Sequence, residues 1–194
     1  CRLKAALVVL VLSIVTYHPA TLADEDAEST FIELLDALDN FSDYQVIFTY
    51  PNADDGGRKI ITLLKAYSEK DPRRTLVIPS LGHHRYLSAV KFASAVIGNS
   101  SSGIIEVPAL RVPTVNIGAR QAGRLAAESV INCVPKKCSI VSAINMALSK
   151  DYKNSKGKIN NPYGQGNASQ QIIEILKSFS FDAVKKFHNI KVPK

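Results

Sequence analysis

What most restricts the fold of this chain is an alternation of two apolar periods along its length. Short runs dominated by apolar and β-branched residues at 6–15, 45–50, 75–78, 95–97 and 114–117 are separated by helical patterns at about 26–40, 58–70, 81–92 and 103–110. Strand–helix–strand units with short junctions close as right-handed crossovers and lay their strands parallel. The longest of the runs, at residues 6–15, is what a parallel strand covered on both faces looks like. The expected architecture is therefore α/β, one doubly wound, Rossmann-like parallel sheet with helices on both sides. Residues 129–133 read as a short edge strand, 139–149 as a helix, 160–167 as a Gly/Asn-rich loop, and 169 to about 188 as a final helical region.

A chain of 194 residues with 46% hydrophobic content is long enough for one well-buried core and short for two. Its net charge of +7 is concentrated in the tail, where residues 134–194 hold eleven lysines and three acids. Those lysines are isolated or paired, with few aromatic residues between them to stack on bases, so they read as solvated surface and no nucleic-acid partner is expected. Three cysteines, Cys1, Cys133 and Cys138, are too few for a disulfide scaffold and lack the paired spacing of a zinc site; free thiols, no metal and a cytoplasmic location follow. The run at residues 5–15, preceded by Arg2 and Lys4, also scores as a leader cleaved after Ala23. It is too short for a membrane helix, and the strand–helix alternation that follows favours a buried strand, so no membrane partner is expected. Cleavage after Ala23 would remove the first strand and His18 together.

In an open parallel sheet, ligands bind beyond the carboxyl ends of the strands. Five loops leave those ends here: 16–19, 51–54, Pro79-Ser80, 98–103 and 118–121. The fourth, Gly98-Asn99-Ser100-Ser101-Ser102-Gly103, is a small-residue turn that opens a helix directly after an apolar strand. Free N–H groups and the helix dipole, with three hydroxyls beside them, suit a phosphate or diphosphate. The same residues serve equally as a turn with Ser102 as helix cap, and the Gly-Lys-Ser/Thr ending of a P-loop is missing. Glu106, one turn into that helix, can complement the dipole or accept from the vicinal hydroxyls of a ribose. His18 precedes Pro19 and so stays out of a helix, at the rim, where an imidazole can contact phosphate or act as an acid. Arg120 and Arg124 lie just past the fifth strand, where a guanidinium can bind phosphate oxygens or simply carry surface charge. His83 and His84, adjacent on a helix, face different ways and do not form a joint metal site.

Three segments carry a resemblance: 15–21 (Val-Thr-Tyr-His-Pro-Ala-Thr), 98–106 (Gly-Asn-Ser-Ser-Ser-Gly-Ile-Ile-Glu) and 113–124 (Pro-Thr-Val-Asn-Ile-Gly-Ala-Arg-Gln-Ala-Gly-Arg). Their order and spacing resemble the C-terminal domain of hydrolysing UDP-N-acetylglucosamine 2-epimerases, particularly those of sialic-acid-type pathways, from about Val15 to the Tyr163–Ala168 loop. The resemblance implies the C-terminal half of a two-domain GT-B-type fold, with residues 1–168 as the UDP-sugar-binding domain and 169–194 as a helical extension. It implies that His18, Ser100 and Ser101, with Ser102 beside them, meet the diphosphate, that Glu106 meets the ribose, that Asn52 and Arg120 line the rest of the nucleotide pocket, and that Ile78 gives a backbone contact to uracil. The ligand implied is UDP or UDP-N-acetylglucosamine, with no separate cofactor and a homo-oligomeric full-length family member. The implied reaction converts UDP-N-acetylglucosamine to N-acetylmannosamine and UDP through a glycal. Nothing before Ala5 matches the family's N-terminal domain with its early Arg and catalytic Asp and Glu residues. The expectation is thus a fragment, a split gene product or an incomplete gene model carrying the UDP-binding half; the alternative is a non-catalytic UDP-sugar-binding module or complementing subunit.

Overall fold

The computed structural model describes residues 12–19, 26–54, 56–155, 159–164 and 166–180. Six strands form one sheet, β1 (Leu12–Thr16), β2 (Gln45–Thr49), β3 (Thr75–Ile78), β4 (Ala95–Gly98), β5 (Thr114–Ile117) and β6 (Val130–Cys133). Every pair is parallel and the order is β3-β2-β1-β4-β5-β6. The doubly wound parallel sheet expected from the apolar alternation is what the chain forms. Of the first expected strand, residues 6–11 lie outside the described residues, and β1 supplies the rest.

Burial follows position in the sheet. Every residue of β4 and β5 is buried, whereas β3 and β6, at the two edges, are only partly covered. Helix α1 (Ala27–Leu38) begins at Asp26, whose carboxylate accepts from the amides of Glu28 and Ser29 at 3.4 and 3.0 Å. Its Phe31, Leu34, Leu35 and Leu38, spaced at helical period, are buried. They join α2 (Gly57–Lys70), through Ile60 and Leu64, and α5 (Lys137–Leu148), through Ile140 and Ile144, in a core over Val15, Phe48, Ile97 and Ile117. On the opposite face Ile14 and Val96 meet Val90 of α3 (Gly82–Phe92) and Val107 and Val112. Each such side chain, fully buried, contributes about 1.5–3 kcal/mol relative to exposure. Adjacent Ile14 and Val15 therefore pack into different cores, one on each face of the sheet, with β1 an interior strand between them.

Arg74 closes the end of α1. Its Nη2 donates to the Leu38 carbonyl at 2.6 Å, its Nε to the Tyr44 carbonyl at 3.1 Å, and its Nη1 to the Tyr67 hydroxyl at 3.0 Å. The hydroxyl in turn donates to Asp39 at 2.8 Å, and burial pushes the Tyr67 pKa up to about 12. A guanidinium beside the last carbonyls of a helix also offsets its dipole.

Several boundaries differ from the sequence reading. The expected helix 103–110 is two pieces, α4 (Ser102–Ile105) and a 3-10 turn, Val107–Leu110. Pro108 accounts for the break, since it lacks an N–H and its ring opposes the carbonyl four residues back. The helix expected at 139–149 starts two residues earlier, at Lys137. A further helix, α6 (Lys150–Ser155), follows it, and Ser149 Oγ accepts from the Tyr152 amide at 3.2 Å as its cap.

The chain divides into two compact units, Cys1–Tyr163 and Gly164–Lys194. Within the second, α7 (Ala168–Ser178) leaves Ile172, Ile173, Ile175 and Leu176 exposed; the expected continuation from 181 to 188 lies outside the described residues. Cys133 and Cys138 are free thiols, and burial pushes that of Cys133 up to about 11. Among the described residues no helix is long and apolar enough to cross a membrane.

Candidate functional site

The strand order runs outward in opposite senses from β1 and β4, so the crevice beyond their carboxyl ends is the topological switch point of the sheet. Gly98, the last residue of β4, has φ +137°, and a Cβ there would stand 1.9 Å from the Thr16 carbonyl oxygen. Glycine alone allows the two strand exits to come this close. The Asn99 amide then donates to that same oxygen at 3.2 Å, extending the β1–β4 ladder by one bond.

Asn99 is 2% exposed, and its side chain reaches back to β1's exit loop. Its Oδ1 accepts from the His18 amide at 2.7 Å and its Nδ2 donates to the His18 carbonyl at 2.8 Å. The Asn99 carbonyl accepts from Arg120 Nη1 at 3.0 Å and from Gln121 Nε2 at 2.8 Å. Loops after β1, β4 and β5 are thus one hydrogen-bonded unit. The loop after β2 joins it through Asn52, whose amide donates to His18 Nδ1 at 3.0 Å and whose Nδ2 donates to Asp54.

The half-buried His18 ring is held neutral. Burial lowers its pKa below the ordinary 6.5 and the Arg120 guanidinium lowers it further, against the opposing pull of the Asn52 side chain and the Asp54 carboxylate. With Nδ1 accepting from Asn52, the neutral ring carries its proton on Nε2 and is a donor there.

Ser100 and Ser101 are half-buried at the start of α4, and their amides donate to no acceptor among the described residues. Ser101 is the residue before the helix, and no side chain caps it. Ser102 is the first helical residue, and its hydroxyl donates to the Tyr86 hydroxyl on α3 at 3.0 Å. That leaves the Ser100 and Ser101 hydroxyls without a protein partner among the described residues. Glu106 ends α4, with His83 Nδ1 3.9 Å from its carboxylate. Ile78 closes edge strand β3, in register with Thr49 of β2, and no hydrogen bond links it to the His18–Asn99–Arg120 unit.

Asn99, Gln121, Tyr86 and His83 acquire contacts here that the sequence reading did not assign. Gln121 is 5% exposed, and its Oε1, like Asn52 Oδ1, is buried without a partner among the described residues. Gln121 and Arg124 line a cavity of about 270 Å³ together with Asn116 and Asn132, and Asn52, Asp54 and Arg58 line another of about 590 Å³. No group of three or more His, Cys, Asp or Glu side chains placed to hold a metal ion occurs among the described residues.

The family model of UDP-N-acetylglucosamine 2-epimerase matches residues 10–177, which contain the sheet and every rim loop described above. The chain belongs to that epimerase family. Among its relatives, the Polysialic acid biosynthesis protein P7 of Escherichia coli is 36% identical over 167 residues, 86% of this chain and 42% of that protein. The GDP/UDP-N,N'-diacetylbacillosamine 2-epimerase (hydrolyzing) of Campylobacter jejuni is 41% identical over 121 residues, 62% of this chain and 32% of that enzyme. The crystal structure of UDP-GlcNAc 2-epimerase from Neisseria meningitidis bound to UDP-GlcNAc shares the fold with a TM-score of 0.62 at 18% identity, over 87% of this chain and 44% of that one. The chain therefore spans less than half the length of these proteins, and its sheet corresponds to one half of the GT-B-like fold of its structural neighbours.

Proposed function

We propose that the rim of the switch point binds the UDP moiety of UDP-N-acetylglucosamine, and that the chain is the UDP-binding half of a hydrolysing 2-epimerase producing N-acetylmannosamine and UDP. The observation that carries this reading is the convergence, through Asn99, of a neutral His18 donor, the Arg120 guanidinium and the unpaired Ser100 and Ser101 amides on one crevice. Such a set, all donors with one fixed positive charge, is matched to a diphosphate. Glu106, at the far end of α4, takes the ribose hydroxyls, Asn52 lines the nucleotide pocket, and the Ile78 backbone meets the uracil.

In the proposed reaction a base removes the proton at C2 of the sugar while the C1–O bond to UDP breaks and its electron pair leaves with the diphosphate, giving a glycal. Water then adds, its hydroxyl to C1 and a proton to C2 on the opposite face. The residues described here serve the departure of UDP: preorganised donors meet the charge that grows on the β-phosphate, and they do so without reorganising. The base is assigned to the portion of the family members that this chain does not span.

Calorimetric titration with UDP tests the reading. A hydrogen bond to a charged group contributes about 1.5–3 kcal/mol, so Arg120→Ala and Glu106→Ala should each weaken UDP binding by roughly 10- to 100-fold. Unchanged affinity in both variants would sink it.

A further inference from the structure

β1 ends at Thr16, in register with Gly98, and past that point neither strand has a backbone partner from the other except for the Asn99 amide on Thr16. The His18 N–H and carbonyl are where the next ladder bonds would form. The Asn99 side chain takes both of them, at 2.7 and 2.8 Å, across 81 positions of sequence. A carboxamide has the same donor–acceptor pair as a peptide unit, so here it stands in for the missing strand. Its own backbone is then free to turn away into the serine loop, and the carbonyl it leaves behind receives Arg120 and Gln121.

We infer that Asn99 is the positioning residue of the site: its side chain fixes His18 against Asn52 and Arg120, so that the ring presents Nε2–H to the same anion that Arg120 and the serine turn meet. The inference rests on the UDP-binding reading for its functional meaning. The chemistry of the side chain is restrictive. Asp would lose the donor to the His18 carbonyl, and an apolar residue would leave both half-buried His18 backbone groups without their partner. The groups that face the ring are Asn52, Asp54 and Arg120, none of which takes over the two bonds to the His18 backbone. The lowered pKa of His18 agrees with a ring held in place rather than swinging into water.

A double-mutant cycle separates positioning from a merely structural role. Asn99→Ala should weaken UDP by about tenfold when His18 is present. In a His18→Ala background the same substitution should change affinity by less than about twofold, because nothing remains to be positioned. An equal loss in both backgrounds would overturn the inference. The second readout needs no ligand: an NMR titration of the His18 ring, in which Asn99→Ala raises its pKa towards 6.5. An unmoved titration would also count against Asn99. If wild type fails to bind UDP, the functional reading falls and the titration alone decides the role of Asn99. Should the alanine variant not fold, Asn99→Ser enters the same two measurements with the same outcomes. Unfolding of both would mark Asn99 as a fold determinant and reject the inference.

Discussion

Gly98→Ala tests the close approach of β1 and β4 directly. An alanine Cβ at this position would lie 1.9 Å from the Thr16 oxygen and 2.7 Å from its carbonyl carbon, whereas real Cβ atoms essentially never come nearer than 3.0 Å. To relieve the contact the strand exits must part by more than an ångström. The Asn99–Thr16 bond, already 3.2 Å long, then opens and leaves a buried donor and acceptor unpaired. Backbone strain at φ +137° adds about 1–3 kcal/mol and the lost bond about 1–3 kcal/mol, so the expected cost is about 4 kcal/mol. For a chain of this size that is a drop in Tm of roughly 8–16 °C. Gly118→Ala is the internal control, because φ is +74° there yet nothing lies within 4 Å of the added carbon. It should cost only the conformational strain, about 1–2 kcal/mol. Thermal unfolding followed by circular dichroism compares the two. If Gly98→Ala melts within about 2 °C of Gly118→Ala, strand proximity is not what requires glycine at 98.

Two further outcomes follow from the same geometry. Because the His18 pKa is lowered on folding, the unfolded chain binds more protons between the folded value and 6.5; stability should fall as pH drops through that window and level off below it. Urea midpoints across the window should show this segment in wild type and lose it in His18→Gln; identical profiles would refute the assignment. Arg74→Leu strands the Leu38 and Tyr44 carbonyls and leaves the Tyr67 hydroxyl with Asp39 alone, and should cost about 2–4 kcal/mol in urea unfolding. A cost below about 1 kcal/mol would show that solvent replaces the guanidinium at the end of α1.

The sheet was legible because its signal is local. The apolar and β-branched runs at 45–50, 75–78, 95–97 and 114–117 can be read residue by residue, and each became a parallel strand. The rim loops followed from the fold, since each lies where a strand ends. Asn99 shows what local reading cannot reach. It stood inside the conspicuous serine turn, but its function comes from a partner 81 positions away, and no periodicity encodes that pairing. Tyr86 and His83 escaped for a related reason: α3 has only Val90 buried, so its pattern gave no orientation, and which of its side chains meet Ser102 and Glu106 depends on how the helix sits on the sheet. The missed α6 is a different case. Its Lys-Asp-Tyr-Lys-Asn-Ser sequence has no apolar stripe, yet Ser149 before it was a readable cap.

The central place of β1 has a cost during synthesis. Its β2 side can be paired as soon as that strand leaves the ribosome, but its β4 side waits for partners 82 positions later in the chain, as in Thr16 with Gly98. At roughly 5–20 residues per second that is an interval of about 4–16 s in which an apolar strand presents an open row of N–H and C=O groups to other nascent chains. Slower translation lengthens that window, so the yield of soluble protein should depend on elongation speed and on chaperone supply more than the finished fold would indicate.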